Sequence, residues 1–272
     1  MKRWPLARFS RFGRSCHDTH HCLWLGLVLA AVTLAAPALA SAEWSLGAFL
    51  GASATRDSFL EISQPADRTR LRIEPVSYRS ASFDPPLYYG YRLGLFPGSG
   101  RIGIEGEFIH LKVIADTDRQ AAVDGMLRGA AATGRLPVNE VLDRFSITHG
   151  ANLLLVNAVF RHRALRRGTD AAHRWMLVAR AGAGTSIPHA ESAVGDLSVA
   201  QYEWGSLSMQ AAGGASLRIV DRLYLTGEYK LTRVAPEVTI VGGSARTSLV
   251  THHVVVGVAV HVGGSGPRAS RQ

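Results

Sequence analysis

The sequence has almost no cysteine, and this limits the chemistry that it can perform. Its two cysteines, Cys16 and Cys22, both lie within the first 40 residues. The rest of the chain therefore cannot form a disulfide, supply a thiolate nucleophile or bind zinc through sulfur. Enzyme classes that depend on cysteine are excluded for residues 41–272.

Long apolar runs and dense basic runs are also missing after residue 42. No segment there is long and apolar enough for a transmembrane helix, which needs about 20 residues. No run of Lys and Arg with interleaved aromatic residues is present, so nucleic acid is not expected as a partner. The formal net charge is nevertheless +9. A basic exported protein is suited to meet the phosphates of anionic lipids.

The N-terminus is typical of a secretory signal peptide. Basic residues precede a nearly unbroken apolar run, Cys22–Leu39, and small residues follow at 37–40. We expect cleavage after Ala40, with Ala42 as a second site, rather than an uncleaved membrane anchor. The predicted organisation is a signal peptide over residues 1–40, one barrel domain over 41–262 and a periplasmic tail over 263–272.

Beyond this leader the sequence alternates with a period of two residues, most clearly over Arg101–Asp116. Ile102, Ile104 and Phe108 lie on one side, and Glu105 and Glu107 lie on the other. This period predicts a strand whose two faces meet different solvents. In a soluble sheet the apolar face is the core, whereas in an outer-membrane barrel the apolar face meets lipid and the acidic face fills the interior.

Eight segments of this kind predict an all-β fold, an eight-stranded antiparallel transmembrane β-barrel of outer-membrane type. They are residues 43–54, 88–96, 101–116, 145–160, 175–187, 202–219, 223–233 and 249–262. Short connections (97–100, 161–173, 220–222) alternate with long ones (55–75, 117–143, 190–200, 234–247), as in barrels with short periplasmic turns and long external loops. A soluble lipocalin-like barrel is the alternative, but it gives no reason for this asymmetry. We expect loops in the long connections, with a short helix over 119–132.

An eight-stranded barrel has an interior that side chains just fill, so it is not expected to be a pore. The charged residues that the alternation directs inward are Arg92, Glu105, Arg180, Arg218, Glu228 and Lys230. Counting outward from the 97–100 turn places Arg92 opposite Glu105. Because buried charges need partners, a structural network is a simpler interpretation than catalysis. Asn157 falls in a row with Leu153 and Leu155 that we assign to lipid, which predicts a bulge or a register change in that strand.

Four polar residues cluster at the outer ends of the third, fourth and fifth segments. His110, Lys112, His149 and His189 share the parity of apolar residues in their segments, so we expect them to point outward at the height of the lipid headgroups. Each alone is an ordinary interfacial residue. Consecutive strands are neighbours in such barrels, so the four together form a candidate site in one sector of the rim.

The same segments resemble the lipid A oxidase family. The resemblance runs over most of residues 43–262, and its motifs are Pro85–Gly90, Glu107–Lys112, Thr148–Leu153, Gly182–Gly184 with Pro188-His189, and Gly227–Lys230. The specific part is the pair His110/Lys112 and His149/Asn152. The resemblance implies an outer-membrane enzyme that uses O₂ to oxidise the proximal glucosamine of lipid A to an aminogluconate, with release of hydrogen peroxide.

Position and chemistry, rather than the family, give the candidate roles. His110, His149 and His189 are the predicted catalytic residues, and Lys112 and Asn152 the predicted substrate-binding residues. No dinucleotide-binding fold is present, so no nucleotide cofactor is expected. A divalent transition metal is predicted instead, with His110, His149, His189 and Glu191 as ligands and Asp116 as another possible oxygen donor.

The predicted partner is lipid A or lipopolysaccharide, bound by a monomer embedded in the outer membrane of a Gram-negative cell. An alternative function belongs to a different class. The chain would then be a non-enzymatic surface barrel whose external loops bind a host or envelope partner.

Overall fold

The computed structural model describes residues 42–98, 100–147, 150–163 and 174–263. The predicted signal peptide, the tail after residue 263 and His149 lie outside the described residues. The strands within them are, in chain order, β1 (Glu43–Thr55), β2 (Ser58–Gln64), β3 (Thr69–Val76), β4 (Tyr78–Arg79), β5 (Tyr89–Phe96), β6 (Ile102–His110), β7 (Val113–Ala115), β8 (Gln120–Leu127), β9 (Ala130–Pro137), β10 (Arg144–Ile147), β11 (Leu153–Arg163), β12 (Trp175–Ser186), β13 (His189–Val194), β14 (Leu197–Tyr202), β15 (Leu207–Val220), β16 (Leu223–Val234), β17 (Glu237–Ile240), β18 (Gly243–Thr247) and β19 (Leu249–Gly263). The helical structure among the described residues is one turn of 3₁₀ helix at Val138–Glu140, and no helix there is long and apolar enough to cross a membrane.

Eight of these strands close into an antiparallel barrel, which confirms the predicted fold. Their order around the barrel is β1-β19-β16-β15-β12-β11-β6-β5, and β5 pairs again with β1. The first and last strands pair along their whole length, from Glu43 opposite Gly263 to Thr55 opposite Thr251. Closure leaves no edge with unpaired backbone groups, which is the condition for a β-structure within lipid.

The exposure of side chains alternates as the sequence predicts. Ile104 is 65% exposed and its neighbour Glu105 is 1% exposed, and on β19 the values are 62% for Val254 and 1% for His253. Aromatic residues flank the apolar belt, with Trp44 and Trp175 at one end and Tyr91 and Tyr229 at the other. An apolar exterior around a charged interior is the reverse of a soluble barrel. The protein is therefore an integral barrel of the outer membrane.

The interior is filled by a charge network, as expected. Arg92 Nε lies 2.9 Å from Glu107 Oε1, Arg180 Nε lies 2.7 Å from Glu105 Oε1, and Lys230 Nζ contacts Glu107. The predicted register is wrong, since Arg92 lies opposite Glu107 and Gly94 lies opposite Glu105, although Arg92 Nε still lies 3.8 Å from Glu105 Oε1. The connection after β5 is longer than assumed, and a shift of two residues preserves the inward face while it changes the partner. The cavity left in this layer is about 20 Å³, which is too small for a pore.

The irregularity predicted in the strand of Asn157 is a change of register between β10 and β11 rather than a bulge, and the assignment of Leu153 and Leu155 to lipid is wrong. The segment over 145–160 is two strands, β10 and β11, and the chain between them adopts positive φ angles at Gly150 (98°) and Asn152 (43°). This break changes the parity, so Leu153, Leu155 and Asn157 all point inward. Asn157 Nδ2 donates to Glu107 Oε2 at 2.9 Å and completes the interior network.

The long external connections form two sheets rather than loops. One has six strands in the order β17-β18-β2-β3-β8-β9, and the other has five in the order β14-β13-β10-β7-β4. The helix predicted over 119–132 is wrong, because this stretch forms the β8–β9 hairpin. Arg128 and Gly129 have φ angles of 52° and 82° and make a two-residue turn that suits the twist of a hairpin. Ala121 and Val123 of β8 are buried on the inner face of this hairpin.

The external sheets share an apolar core with the mouth of the barrel. Leu60 and Ile73 from the six-stranded sheet, and Leu142 from the chain before β10, belong to the same buried cluster as Phe49 and Leu153 from the barrel strands. The barrel is therefore closed at its outer end by packed hydrocarbon.

Candidate functional site

The candidate site lies where β6, β11 and β12 leave the membrane. Three backbone hydrogen bonds join the chain here: Ala151 N donates to Leu111 O (2.8 Å), Ile187 N to Asn152 O (3.0 Å) and His189 N to Gly150 O (3.1 Å). The third, fourth and fifth predicted segments are thus neighbours at the rim, as expected. His149 lies outside the described residues.

His110 continues the lipid-facing row of β6, two residues beyond Phe108, but it is only 5% exposed. The ring points outward as expected but is covered, because Tyr89 stacks on it with centroids 4.9 Å apart and an interplanar angle of 16°. Its Nδ1 lies 3.0 Å from Asn152 Oδ1. The Asn152 amide donates through Nδ2 to Ile187 O, so Oδ1 is the acceptor and His110 Nδ1 carries the proton. In the neutral ring Nε2 is then the basic nitrogen.

Gly150 makes this arrangement possible. Its φ of 98° is one that residues with a side chain rarely adopt, and a Cβ at this position would overlap the His110 ring. The close approach of the Gly150 backbone therefore fixes the ring between Tyr89 and Asn152.

His189 and Glu191 lie beside each other on β13. His189 Nδ1 is 3.6 Å from Glu191 Oε1, and the ring packs against Tyr202 with centroids 4.4 Å apart. His189 is half-buried. Tyr89 and Tyr202 were not among the predicted site residues, although an aromatic residue at the end of a lipid-facing row is an available signal for Tyr89.

Lys112 was expected to point outward at the rim, but it is buried, with an exposure of 7%. Its Nζ donates to the carbonyl oxygens of Asp84 and Pro85, each at 2.9 Å. The ammonium therefore binds the chain that enters β5 to the chain that leaves β6.

The predicted metal ligands are brought together only in part. Among the described residues no group of three or more His, Cys, Asp or Glu side chains is placed to hold a metal ion. His189 and Glu191 are adjacent, whereas Asp116 faces Arg119 in the external sheet at 3.9 Å. The described donors alone do not make a metal site.

An apolar groove runs down the lipid-facing surface directly below His110. It has a volume of about 420 Å³, and its walls include Tyr91, Leu93, Phe108, Leu154 and Val156. Its floor is Gly106, where an added Cβ would meet nothing closer than Leu93 O at 3.9 Å. The groove gives the candidate site an apolar extension into the membrane.

No family model and no curated protein matches the chain. Solved structures with a similar arrangement of strands include several outer-membrane proteins. The outer membrane protease OmpT from Escherichia coli is 9% identical, with 81% of this chain and 97% of that chain covered and a TM-score of 0.39. Ail, the attachment invasion locus protein of Yersinia pestis, in complex with the heparin analogue sucrose octasulfate, is 9% identical, with 82% and 99% covered and a TM-score of 0.38. Neisserial surface protein A is 8% identical, with 81% and 96% covered and a TM-score of 0.37. Similarity at this level carries no argument about function.

Proposed function

We propose that this protein is an outer-membrane oxidase of lipid A that oxidises the proximal glucosamine at its anomeric carbon with O₂. The observation that carries the proposal is the position of His110. It lies on the lipid side of the barrel, at the outer end of the apolar belt, shielded from water by Tyr89 and held in one tautomer by Asn152. A lipid held in the outer leaflet presents its sugar at this depth.

The motifs of the family resemblance support this proposal. Lys112 contacts Pro85, and His110 contacts Asn152, so three of the motifs meet at one place. The groove floored by Gly106 offers an apolar surface to an acyl chain of the substrate.

The chemistry requires a free anomeric hydroxyl on the proximal glucosamine. Oxidation removes the hydroxyl proton, the hydrogen on the anomeric carbon and two electrons, and O₂ takes up two electrons and two protons to give hydrogen peroxide. Water then opens the resulting lactone to the aminogluconate. His110 would accept the hydroxyl proton at Nε2, which is buried in this structure and would have to be uncovered by the substrate, and Asn152 would hold the ring in place.

The metal stays a prediction. Its predicted ligands are His110, His149, His189 and Glu191. Metal analysis of the purified barrel tests it directly. A stoichiometric transition metal that is lost in a His189→Ala, Glu191→Ala double variant, together with loss of oxidation on chelation, is the expected result. The monomeric state is likewise a prediction.

Mass spectrometry of lipid A from cells with and without the gene tests the activity. We expect a mass gain of one oxygen that depends on the gene and is abolished by His110→Ala. His162→Ala is the matched control, since His162 is an exposed histidine at the other end of β11. A folded His110→Ala protein that still yields the oxidised lipid would end the proposal.

One observation favours the alternative, a surface barrel that binds a partner. The six-stranded sheet carries a polar pocket with a volume of about 520 Å³. Residues of both charges line it, including Arg70, Arg72, Asp124 and Glu237. Unchanged lipid A in the presence of the gene, with loss of partner binding in an Arg70→Glu variant, would support this function instead.

A further inference from the structure

A second polar cluster lies on the outside of the barrel, on strands that the candidate site does not use. Arg56 follows the end of β1, and its backbone N donates to Val250 O at 2.9 Å. Its side-chain Nε donates to His252 Nε2 at 2.8 Å, and His252 Nδ1 contacts the Tyr229 hydroxyl. Arg233 lies opposite Val250 on the adjoining β16, on the same outward face.

The cluster lies at the upper limit of the apolar belt. A strand that rises about 3.4 Å per residue and is tilted by about 40° climbs about 26 Å between Val262 and His252 on β19. This is close to the height of about 25 Å that is typical of the apolar band of an outer-membrane barrel. The valines at alternate positions below His252 are 40–62% exposed to lipid. The four polar side chains are therefore at the depth of the lipid phosphates.

The charge of this cluster is not balanced by the protein. Within the described ranges, neither Arg56 nor Arg233 forms a salt bridge with a carboxylate. The interior cations of the barrel behave differently, since Arg92, Arg180 and Lys230 each contact a glutamate. Two guanidinium groups at the edge of a low-dielectric medium are suited to bind an anion from outside the chain.

The hydrogen bonds of the cluster leave its donors directed at such an anion. Arg56 Nε–H donates to His252 Nε2, so the neutral ring carries its proton on Nδ1 and donates it to the Tyr229 oxygen. The phenolic hydrogen of Tyr229 and the Nη groups of Arg56 are then donors for a further acceptor. A guanidinium fork matches two oxygens of a phosphate.

An apolar groove lies below the cluster along β1. It has a volume of about 320 Å³ and is lined by Ala48, Leu50, Tyr91, Val256 and Val258. In a bilayer this surface is covered by hydrocarbon, and the groove is continuous with the outward face that carries His252. An anionic group above an acyl chain is the arrangement of a phosphorylated lipid.

We propose that Arg56, Arg233, His252 and Tyr229 bind the phosphate of an outer-leaflet lipid whose acyl chain lies along β1 and β19. The site is separate from the His110 site, and it stands whether or not the protein oxidises lipid A. Its function is to hold an annular lipid at a fixed orientation against the barrel.

Native mass spectrometry of the full chain, released from a zwitterionic detergent, tests the site. The probes are diphosphorylated lipid A, the same lipid after removal of its phosphates, and inorganic phosphate. We expect the wild type to retain the phosphorylated lipid about tenfold more than the dephosphorylated one, because charge-assisted bonds to phosphate are lost. An Arg56→Gln, Arg233→Gln variant should lose this preference.

The matched control is the double variant Arg144→Gln, Arg246→Gln. It also removes two positive charges, but from exposed positions on the external sheets. This control should retain the phosphorylated lipid as the wild type does. Equal loss in both double variants would overturn the site in favour of a general effect of net charge. Equal retention of both lipids by the wild type, or displacement of the lipid by millimolar inorganic phosphate, would overturn the assignment to a lipid headgroup.

Discussion

The interior of the barrel and the His110 rim are both polar regions within a largely apolar molecule, but they are built differently. In the interior, three carboxylates (Glu105, Glu107 and Glu228) neutralise Arg92, Arg180 and Lys230. At the rim, Lys112 donates hydrogen bonds to two backbone carbonyls, and His110 is hydrogen-bonded to Asn152. The interior network is closed on itself and specifies the fold, whereas the rim is arranged around an imidazole that can exchange a proton.

The largest effect is expected from breaking the interior network. Glu228 Oε2 lies 2.7 Å from Arg92 Nη1 and 2.8 Å from Arg180 Nη1. Glu228→Gln removes the negative charge that both guanidinium groups contact. It should therefore lower the free energy of unfolding by about 3–5 kcal/mol. Urea unfolding, followed by the different migration of unboiled and boiled samples on a detergent gel, measures this. Glu237→Gln, the same change at an exposed position, should shift stability by less than about 0.5 kcal/mol, and an equal shift in both variants would contradict the contrast.

The second effect is loss of activity without loss of the barrel. Gly150→Ala introduces a Cβ at a φ of 98° against the His110 ring, so lipid A oxidation should be abolished while the unboiled gel band remains. Gly134→Ala is the control, because its φ is 112° but nothing lies within 4 Å of an added Cβ. Both changes should cost about 1–3 kcal/mol of local strain. Activity lost equally in Gly134→Ala would show that strain alone is responsible.

A smaller effect is expected in the groove below the site. Gly106→Leu fills the floor with hydrocarbon and displaces part of an acyl chain, so the apparent KM for lipid A should rise about tenfold, the equivalent of about two displaced methylene groups. Gly227→Leu places the same side chain at an open, lipid-facing position on β16 and should leave KM unchanged. Kinetics in mixed micelles measure both, and a KM that is insensitive to Gly106→Leu would place the substrate elsewhere.

The smallest effect is expected at Lys112, whose ammonium is bound by two backbone carbonyls. Lys112→Met removes two hydrogen bonds to carbonyls and should raise the apparent KM about fivefold, the equivalent of about 1 kcal/mol, with kcat little changed. A loss of kcat as large as that of His110→Ala would instead give Lys112 a role in the chemistry.

The barrel was predictable from the sequence because each of its strands separates two solvents. Ile104 and Glu105 cannot exchange faces without exposing a carboxylate to lipid, so the pattern is enforced residue by residue. The partner of Arg92 was not predictable, since a shift of two residues leaves that pattern intact. The external strands were missed because both of their faces meet protein or water, and alternation in Gln120–Leu127 is carried by alanine and glycine.

The candidate site was predictable in its sector but not in its exposure. The order of strands brings His110, Asn152 and His189 together, and this follows from topology. The burial of His110 depends on the positive φ angles of Gly150 and Asn152 and on the stacking of Tyr89, which periodicity does not encode.

Each external sheet is assembled from three different connections between barrel strands. The six-stranded sheet takes hairpins from the first, second and fourth connections, and the five-stranded sheet takes strands from the first, second and third. An antibody that binds across either surface therefore contacts a discontinuous epitope. A peptide copied from one connection would not reproduce that epitope. Sequence changes at the hairpin tips, such as 128–129 and 195–196, can alter that epitope freely, whereas changes between the tips must preserve pairing with a segment far away in the chain.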